Sequence, residues 1–312
     1  MDESLRKIFS IRYVKLKFTL TATADALMPK HKTSGLRGGM GEMLLRQNCI
    51  RDRNCEACDF KNDCIVRQAM YPRMDIQPTF MKGNDGSGYI ISCENNREIF
   101  HQGDSFDFYL TLFGKQIAAF SLLLGAFYAL GQNGIGKDKA TFEITAITNE
   151  KKEKVMDGYD IYLQNLGIRR LYEYVQYRES MINITSDHAT LKLTSPLSVK
   201  HQGQMLSDIN MEAFWEALKR RIYILDCLEG IEEDIRKQEY DALPQITAKK
   251  CHTVSVPRFS NHHHNKMKWK GIEGTVELSE INKKIWPLLI AGEITHIGKN
   301  TSFGFGRYRI IL

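Results

Sequence analysis

A glycine-rich basic segment lies at the end of the sequence, from His296 to Leu312. Its possible anion contacts are Gly298, Gly304 and Gly306 in the backbone, and the side chains of His296, Lys299, Arg307 and Arg309. Glycine lets a backbone approach an anion closely, so these residues are typical of a phosphate-contacting loop that leads into a strand. The glycines precede a strand instead of opening a helix, which excludes the Rossmann and Walker patterns. A simple turn followed by a strand is the alternative interpretation.

Four cysteines form a second cluster with the spacing C-x5-C-x2-C-x5-C, and they are Cys49, Cys55, Cys58 and Cys64. Disulfides are disfavoured in the cytoplasm, whereas four thiolates so close in sequence suit a tetrahedral structural zinc site. An iron–sulfur cluster and unliganded thiols are the alternatives. Cys93, Cys227 and Cys251 have strand-like or helix-like surroundings, which predicts small buried apolar residues.

Length and composition favour a globular protein that contains more than one core. The chain has 312 residues, which allows two ordinary domains, and 43% of them are hydrophobic. The longest apolar run, Ile117–Leu130, is shorter than a bilayer crossing requires. The first residues are too charged for a secretory signal, so we expect a cytoplasmic protein without a membrane partner.

Positive charge is concentrated in the last part of the chain. The formal net charge is +6, and the segment Lys249–Leu312 holds eleven Lys and Arg against four Glu. This distribution favours a partner rich in phosphate, although a solvated basic face has the same composition.

The periodicity of apolar residues predicts the same order of elements in both halves. In the first half we expect strand Ile11–Thr21, helix Leu36–Gln47, strands Ile76–Cys93 and Ser105–Phe113, helix Lys115–Leu130 and strand Ala140–Thr148. A charged connector, Lys151–Arg178, contains a hairpin pattern at Lys154–Gln164. In the second half we expect strand His188–Leu197, helix Asn210–Glu229, strands His252–Phe259 and Lys268–Leu278, helix Glu280–Ala291 and a final strand after the glycines.

Each half therefore has the order β-α-β-β-α-β of the ferredoxin-like fold. The predicted fold class is α+β, with two tandem ferredoxin-like domains. The first covers residues 1–185, with a cysteine-rich insertion at 48–75 after the first helix, and the second covers 186–312. In both, a helix is followed by a glycine loop and a strand, and the loop of the first half is Gly131–Lys137.

Several of these motifs together resemble the RAMP superfamily of CRISPR-associated proteins. They are the tail HIGKNTSFGFGRYRI, the segment Gly35–Gly41 with the following cysteines, the loop Gly131–Lys137, Leu193–Leu197, Arg220–Arg221, Pro257–Ser260 and Lys266–Gly274. Within this superfamily the chain is most similar to the endoribonucleases that process precursor crRNA, the Cas six family. The resemblance covers nearly the whole chain.

This resemblance implies metal-independent cleavage of CRISPR repeat RNA, with no cofactor for catalysis. The 2′-hydroxyl attacks the adjacent phosphate, and the products carry a 5′-hydroxyl and a 2′,3′-cyclic phosphate. The reaction needs a proton acceptor, a proton donor and fixed positive charge at the phosphate. Histidine suits either proton-transfer role, and Lys or Arg suits the third.

By resemblance, His31 is the general base or acid, because it lies in the loop where the family often has its catalytic histidine. Lys32 is assigned to the catalytic set as a charge stabiliser, and Arg37 to RNA binding. His296 is assigned to catalysis and Lys299 to RNA contact. A structural His296 that caps the preceding helix is the alternative.

The remaining predicted RNA contacts lie on the last strands. By resemblance, the hairpin around Ser260–Lys270 contacts the repeat RNA through Arg258, Lys266, Lys268, Trp269 and Lys270, with Trp269 able to stack on a base. Arg307 and Arg309 flank Tyr308 and so share the opposite face of the final strand. Three adjacent histidines, His262–His264, cannot all face one metal, so no metal site is expected there.

Two other functions fit part of these features. A non-catalytic RAMP subunit that only binds crRNA needs the same glycine loops and basic residues. A generic zinc-stabilised RNA-binding protein explains the cysteines but not the repeated order of elements. The expected partners are CRISPR repeat RNA or crRNA and other Cas proteins, and the chain is expected to be a monomer or a homodimer.

Overall fold

The computed structural model describes residues 3–81, 87–136, 138–182, 184–240, 242–260 and 265–312, without the side chains of 258–260 and 265–267. The fold is mixed α and β with antiparallel sheets. The helices are α1 (Glu3–Ile8), α2 (Lys32–Asn48), α3 (Ile65–Met70), α4 (Phe120–Asn133), α5 (Leu171–Met181), α6 (Met211–Leu228) and α7 (Trp286–Thr295). The strands are β1 (Arg12–Ala22), β2 (Ala26–Leu27), β3 (Tyr89–Ser92), β4 (Ile99–Phe100), β5 (Ser105–Phe113), β6 (Phe142–Thr148), β7 (Lys154–Asp157), β8 (Asp160–Ile161), β9 (Arg169–Arg170), β10 (Ala189–Leu197), β11 (Lys200–His201), β12 (Gln204–Met205), β13 (Gln245–Ser260), β14 (Asn265–Ser279) and β15 (Tyr308–Ile311).

One compact unit comprises Tyr13–Ile168. Its main sheet has the strand order β3-β5-β1-β6-β7-β8, and β1 is antiparallel to both β5 and β6. Alternate residues of β1, such as Leu16 and Phe18, are buried in one core with residues of α2 and α4. The two helices pack closely, because a Cβ on Gly39 of α2 would lie 2.3 Å from a Leu130 methyl of α4. A small β2-β4 sheet lies beside the loop before α2.

The other compact unit comprises Met1–Arg12 and Arg169–Leu312. Its main sheet has the order β13-β14-β10-β15. Leu191, Leu193, Tyr308 and Ile310 are buried on one sheet face, where Phe214 of α6 packs on Tyr308 with ring centroids 5.5 Å apart. In the main sheet of Tyr13–Ile168, β3 and β5 occupy the positions that β13 and β14 occupy in this sheet. Both units therefore have the same arrangement of strands around their first strand.

A long hairpin extends from the second sheet. Strands β13 and β14 pair from Gln245↔Ser279 to Ser260↔Asn265, whereas β10 pairs with β14 only between Ala189↔Leu278 and Leu197↔Ile272. Within the described residues, the part of the hairpin beyond Ile272 therefore forms a two-stranded ribbon.

Most of the predicted elements are confirmed. The hairpin at Lys154–Gln164 is confirmed by β7 and β8. A strand from Ile76 is wrong for the described residues up to Met81, where Met81 N–H donates to Pro78 O in a turn. The last helix begins at Trp286 instead of Glu280, since Glu280 has a left-handed φ of 59°. The sequence does not predict helix α5, because only two of its positions are buried, Leu171 and Val175, and the others are mainly charged residues and tyrosines that give no clear apolar periodicity.

Helix α5 also determines where the compact units divide. The sequence places the boundary near Ser186, whereas the structure groups Arg169–Leu312 together. The physical reason is a buried carboxylate of α7: Glu293 accepts hydrogen bonds from Tyr174 and Arg178 of α5, at 3.0 Å each. Because these bonds join α5 to α7, α5 belongs to the second unit.

One helical stretch within the described residues, Gly114–Asn133, is long and apolar enough to cross a membrane by length and composition. More than half of its most apolar window is buried, and it includes core residues such as Leu123 and Phe127. The core helix of a globular unit has the same properties, so this stretch carries no argument for a membrane.

An unusual carboxyl group lies inside the second unit. Asp226 of α6 is completely buried, and neither carboxylate oxygen has a hydrogen-bond partner within the described residues. Burial raises the pKa of Asp226 well above its usual value, and the negative charges of Glu229, Glu233 and Asp234 raise this pKa further. Burial therefore favours the protonated form of this carboxyl group in the native state.

We expect Asp226→Ala to gain stability relative to the wild type as the pH rises from 4 to 8. The native carboxyl group holds its proton above the unfolded pKa of about 3.9, so its contribution to stability falls as pH rises toward the native pKa. The gain follows from this linkage, at about 1.4 kcal/mol for each unit by which the pH rises while it stays between the unfolded and the native pKa. Urea unfolding at pH 4, 6 and 8 measures it, with the exposed Glu239→Ala as control. Parallel pH curves for Asp226→Ala and the wild type would contradict the expectation.

Candidate functional site

His31 stands at the beginning of helix α2. It is half-buried and occupies the N-cap position with an extended backbone, at φ −98° and ψ 92°. The first turn of α2 contains no acidic side chain, so the positive end of the helix dipole and its unpaired backbone N–H groups remain suited to an anion. A histidine at this end is placed to exchange a proton with a group bound there.

Lys32, the next residue, points into the protein. It is only 1% exposed, and its Nζ donates to the carbonyl oxygens of Asn95 at 3.0 Å and Arg97 at 2.5 Å. Burial lowers the pKa of Lys32. Its ammonium is therefore engaged by the protein backbone, which favours a supporting role over contact with RNA.

Arg37 lies farther along α2 and contacts two tyrosines. Its guanidinium donates to Tyr89 Oη at 3.0 Å and to Tyr71 Oη, and it lies 5.5 Å from the Tyr71 ring centroid. Burial raises the pKa of Tyr89 to about 12, so that phenol stays protonated at neutral pH. Arg37, which was predicted to contact RNA, thus belongs to a cluster that includes the half-exposed Tyr71. The sequence gives no sign of this role for Tyr71.

The first glycine loop lies beside the loop that carries His31. A Cβ on Gly136 would lie 3.3 Å from Pro29, two residues before His31, and a Cβ on Gly35 would lie 2.7 Å from Ile135. These close approaches show why small residues occur here. Lys137, the cation of this loop, lies outside the described residues.

His296 is an internal residue of the second glycine loop. It is 4% exposed and follows α7 with a left-handed φ of 53°. Its Nδ1 lies 3.0 Å from Phe305 O, and because a carbonyl only accepts, this nitrogen carries the proton. The backbone closes the same loop, since Ile297 N–H donates to Gly306 O and Gly306 N–H donates to Pro196 O. This geometry favours a structural role for His296, in which its side chain holds the glycine loop through Phe305 O.

The predicted cations of this region differ in exposure. Lys299 is exposed on the loop, while its backbone N–H donates to Ser198 O at 2.8 Å. Arg309 is exposed on β15, on the face opposite the buried Tyr308. Arg307 is half-buried, and its Nε donates to Thr194 Oγ1 at 2.9 Å.

Trp269 connects the hairpin to the second glycine loop. Its ring meets Phe303 and Phe305 edge-on, with centroids 4.7 and 5.7 Å away. The neighbouring Lys268 and Lys270 are exposed and alternate with Trp269 along β14. Trp269 therefore anchors the hairpin and leaves the two lysines accessible. The side chains of Arg258 and Lys266, and His262–His264, lie outside the described residues.

The four clustered cysteines occur in the segment between α2 and α3. Cys49 follows α2 and Cys64 precedes α3, and both are half-buried, as is Cys58, whereas Cys55 is exposed. Partial desolvation raises the pKa of Cys55, and the other three thiols raise this pKa further. In the part of the chain that the structure describes, no three His, Cys, Asp or Glu side chains are grouped in a metal-binding arrangement.

Two family models match the chain. A model described as an N-terminal domain matches residues 10–171, and the model of the CRISPR-associated endoribonuclease Cas6 matches residues 191–308. By this match, residues 191–308 belong to the Cas6 family. Its members are CRISPR-associated endoribonucleases, and the resemblance seen in the sequence is thereby confirmed. No curated protein matches the sequence.

Solved Cas6 structures have the same fold at low sequence identity. A Cas6 substrate mimic complex has a TM-score of 0.51 at 16% identity and covers 96% of this chain and 99% of its own. Thermus thermophilus Cas6 has a TM-score of 0.52 at 9% identity, with coverage of 96% and 99%. A partial Cas6-RT-Cas1–Cas2 complex has a TM-score of 0.57 at 12% identity. This chain spans 46% of that matched chain, and 29% of the one in a second Cas6-RT-Cas1–Cas2 complex.

A buried cation behind the second glycine loop is not evident from the sequence. Arg221 of α6 donates from Nε to Thr295 O at 3.0 Å, directly before His296. Burial lowers the pKa of Arg221 to about 10. The sequence shows Arg220 and Arg221 side by side, and only the helix face reveals that Arg221 is the buried one.

Proposed function

We propose that this protein cleaves CRISPR repeat RNA in precursor crRNA without a catalytic metal. The observation that carries the proposal is the match of residues 191–308 to the Cas6 endoribonuclease model. The ribose 2′-hydroxyl gives up its proton to a base and its oxygen attacks the adjacent phosphorus. The bond to the 5′-oxygen breaks, and that oxygen takes a proton from an acid. The products end in a 2′,3′-cyclic phosphate and a 5′-hydroxyl.

His31 is the proton-transfer residue in this proposal. Its support is the position at the N-terminus of α2, where the helix dipole and backbone N–H groups favour the negative phosphorane. Lys32 and His296, also predicted as catalytic, are buried and engaged by backbone carbonyls. We therefore assign them to holding the loops.

RNA binding is proposed for exposed cations of the second unit. Lys268, Lys270, Lys299 and Arg309 are all exposed, and Lys299 lies within the glycine loop. Such residues hold RNA through its phosphates. Arg37 and Arg307 have protein partners that orient their guanidinium groups, which is compatible with a phosphate contact.

We also propose that both units are ferredoxin-like domains in tandem. The support is the strand order, since β3-β5-β1-β6 and β13-β14-β10-β15 are equivalent when each unit is numbered from its first strand. In each unit one helix follows the first strand and a second helix precedes the last strand of this set.

Incubation of the protein with its cognate repeat RNA in EDTA tests the function. We expect one cut at a defined position, with a cyclic phosphate on the upstream product and a 5′-hydroxyl on the downstream product. Tight binding without cleavage would indicate the non-catalytic crRNA-binding subunit instead.

Since two matched structures are Cas6-RT-Cas1–Cas2 complexes, we propose other Cas proteins as further partners.

A structural zinc ion is proposed for Cys49, Cys55, Cys58 and Cys64. The support is their spacing and their shared place in the segment between α2 and α3. Because no ready-made ligand group occurs among the described residues, the segment must close around the ion. We expect about one zinc per chain in protein purified without chelator, and loss of this zinc in Cys58→Ser, with Cys93→Ser as control. Fewer than about 0.2 zinc per chain would contradict the site.

A further inference from the structure

The loop that carries His31 is attached to the protein on both sides of the histidine. On the far side, Lys32 Nζ donates to Asn95 O and Arg97 O. On the near side, Met28 N–H donates to Glu98 O at 2.8 Å, and Leu27 pairs with Ile99 between β2 and β4. Both attachments meet one segment of the chain, Asn95–Phe100, which we call the support segment.

The ammonium group of Lys32 is enclosed by the support segment and by Phe106 of β5. The rings of Phe100 and Phe106 lie 5.3 and 5.6 Å from Nζ, a distance at which aromatic faces attract a cation. Burying an ammonium group is costly unless its protons are hydrogen-bonded, and here two backbone carbonyls accept them. The group is thus suited to holding the backbone and is poorly placed for a substrate phosphate.

Lys32 is also the first residue of α2, so its side chain restrains the helix where His31 caps it. A shift of the helix start relative to the support segment would displace the imidazole by a similar distance. Proton transfer requires donor and acceptor within hydrogen-bond reach, and a misplacement of about 1 Å can lower a rate about 100-fold.

We propose that Lys32 is a positioning residue, whose buried ammonium ties the start of α2 to the support segment and thereby fixes the imidazole of His31. This inference rests on the proposed function, because it takes His31 as the proton-transfer group. It assigns no contact between Lys32 and the RNA.

Lys32→Met tests this assignment, because methionine fills similar space without the N–H donors. We expect the single-turnover cleavage rate at saturating protein to fall about 10- to 100-fold, while the Kd for a repeat RNA with a 2′-deoxy substitution at the cut changes less than about twofold. Lys30→Met, an exposed lysine of the same loop, is the matched control and keeps the wild-type rate. An unchanged rate in Lys32→Met overturns the proposal, and so does a weakened Kd with an unchanged saturating rate.

A double variant separates positioning from direct chemistry. If Lys32 acts through His31, adding Lys32→Met to His31→Ala lowers the rate no further. A full additional decrease shows that Lys32 acts independently, which overturns the proposal. If His31→Ala itself leaves cleavage unchanged, the assignment of His31 fails, and cleavage of the RNA in EDTA still tests the function.

A melting curve identifies unfolding as the cause of a lost rate. If Lys32→Met melts below the assay temperature, Lys32→Gln replaces it, since its amide keeps N–H donors in the same space. We then expect a rate between those of the wild type and His31→Ala with RNA affinity retained. A proportional loss of rate and affinity overturns the proposal.

Discussion

Replacement of His31 by alanine is expected to lower the single-turnover rate of repeat-RNA cleavage about 10³-fold and to leave RNA affinity nearly unchanged. The physical reason is the loss of a positioned proton-transfer group, which typically contributes about 10²–10⁴ in rate. The helix N-terminus still stabilises the phosphorane in the variant, so some cleavage remains. The measurement is a time course with end-labelled RNA at saturating protein, in EDTA.

His101→Ala is the matched control for this experiment. His101 is an exposed histidine of the same compact unit, and its Nδ1 lies 3.3 Å from Asp25 Oδ2. We expect the wild-type rate in this variant. If His31→Ala cleaves at the wild-type rate, the proton-transfer role belongs to another residue. If it binds RNA at least tenfold more weakly, His31 contributes to binding instead.

The second large effect is expected for Gly306→Ala, which should destabilise the protein by about 3 kcal/mol or more. Gly306 has a φ of +73°, and a left-handed backbone alone costs on the order of 1–3 kcal/mol for a residue with a side chain. An added Cβ would also lie 1.8 Å from Ile297 O, the backbone that Gly306 holds in the loop. Because this displaces Lys299, RNA affinity should fall about tenfold.

Gly125→Ala makes the same chemical change and is expected to raise the stability of the protein instead of lowering it. Gly125 is an exposed glycine of helix α4, and no atom lies within 4 Å of its added Cβ. Alanine should stabilise this helix by about 0.8–1.0 kcal/mol. Urea unfolding and RNA-binding assays on both variants check the contrast. Equal stability of Gly306→Ala and the wild type would show that the glycine loop tolerates a side chain.

The regular elements of the fold were predictable where one physical pattern dominated. Strand β1 alternates buried and partly exposed residues along its length, as the sequence indicates. Helix α6 has a single apolar face, and its predicted and observed limits differ by one residue at each end. Helix α5 has few apolar residues, and bonds such as Tyr174 Oη to Glu293 help hold it in place. Its position therefore depends on a partner far away in the sequence.

Among the site residues, the sequence identified chemical types more reliably than roles. In the sequence, Lys30 and Lys32 are both basic residues beside His31. Only Lys32 is buried in the structure, where its ammonium group donates to the carbonyls of Asn95 and Arg97. Trp269 reads as a base-stacking residue, whereas the structure places it edge-on against Phe303 and Phe305. These outcomes depend on which long-range neighbours occupy the space around each side chain.

Three properties could be inferred from the residues alone: the repeated order of strands and helices, the concentration of positive charge after Lys249, and the resemblance to CRISPR RNA endoribonucleases. These properties follow from local periodicity and residue type. The different positions of the two histidines became evident only from the fold: His296 lies inside its glycine loop, and His31 lies at a helix N-terminus. Burial and hydrogen-bond partners determine whether an imidazole can meet a substrate, and both are set by segments distant in sequence.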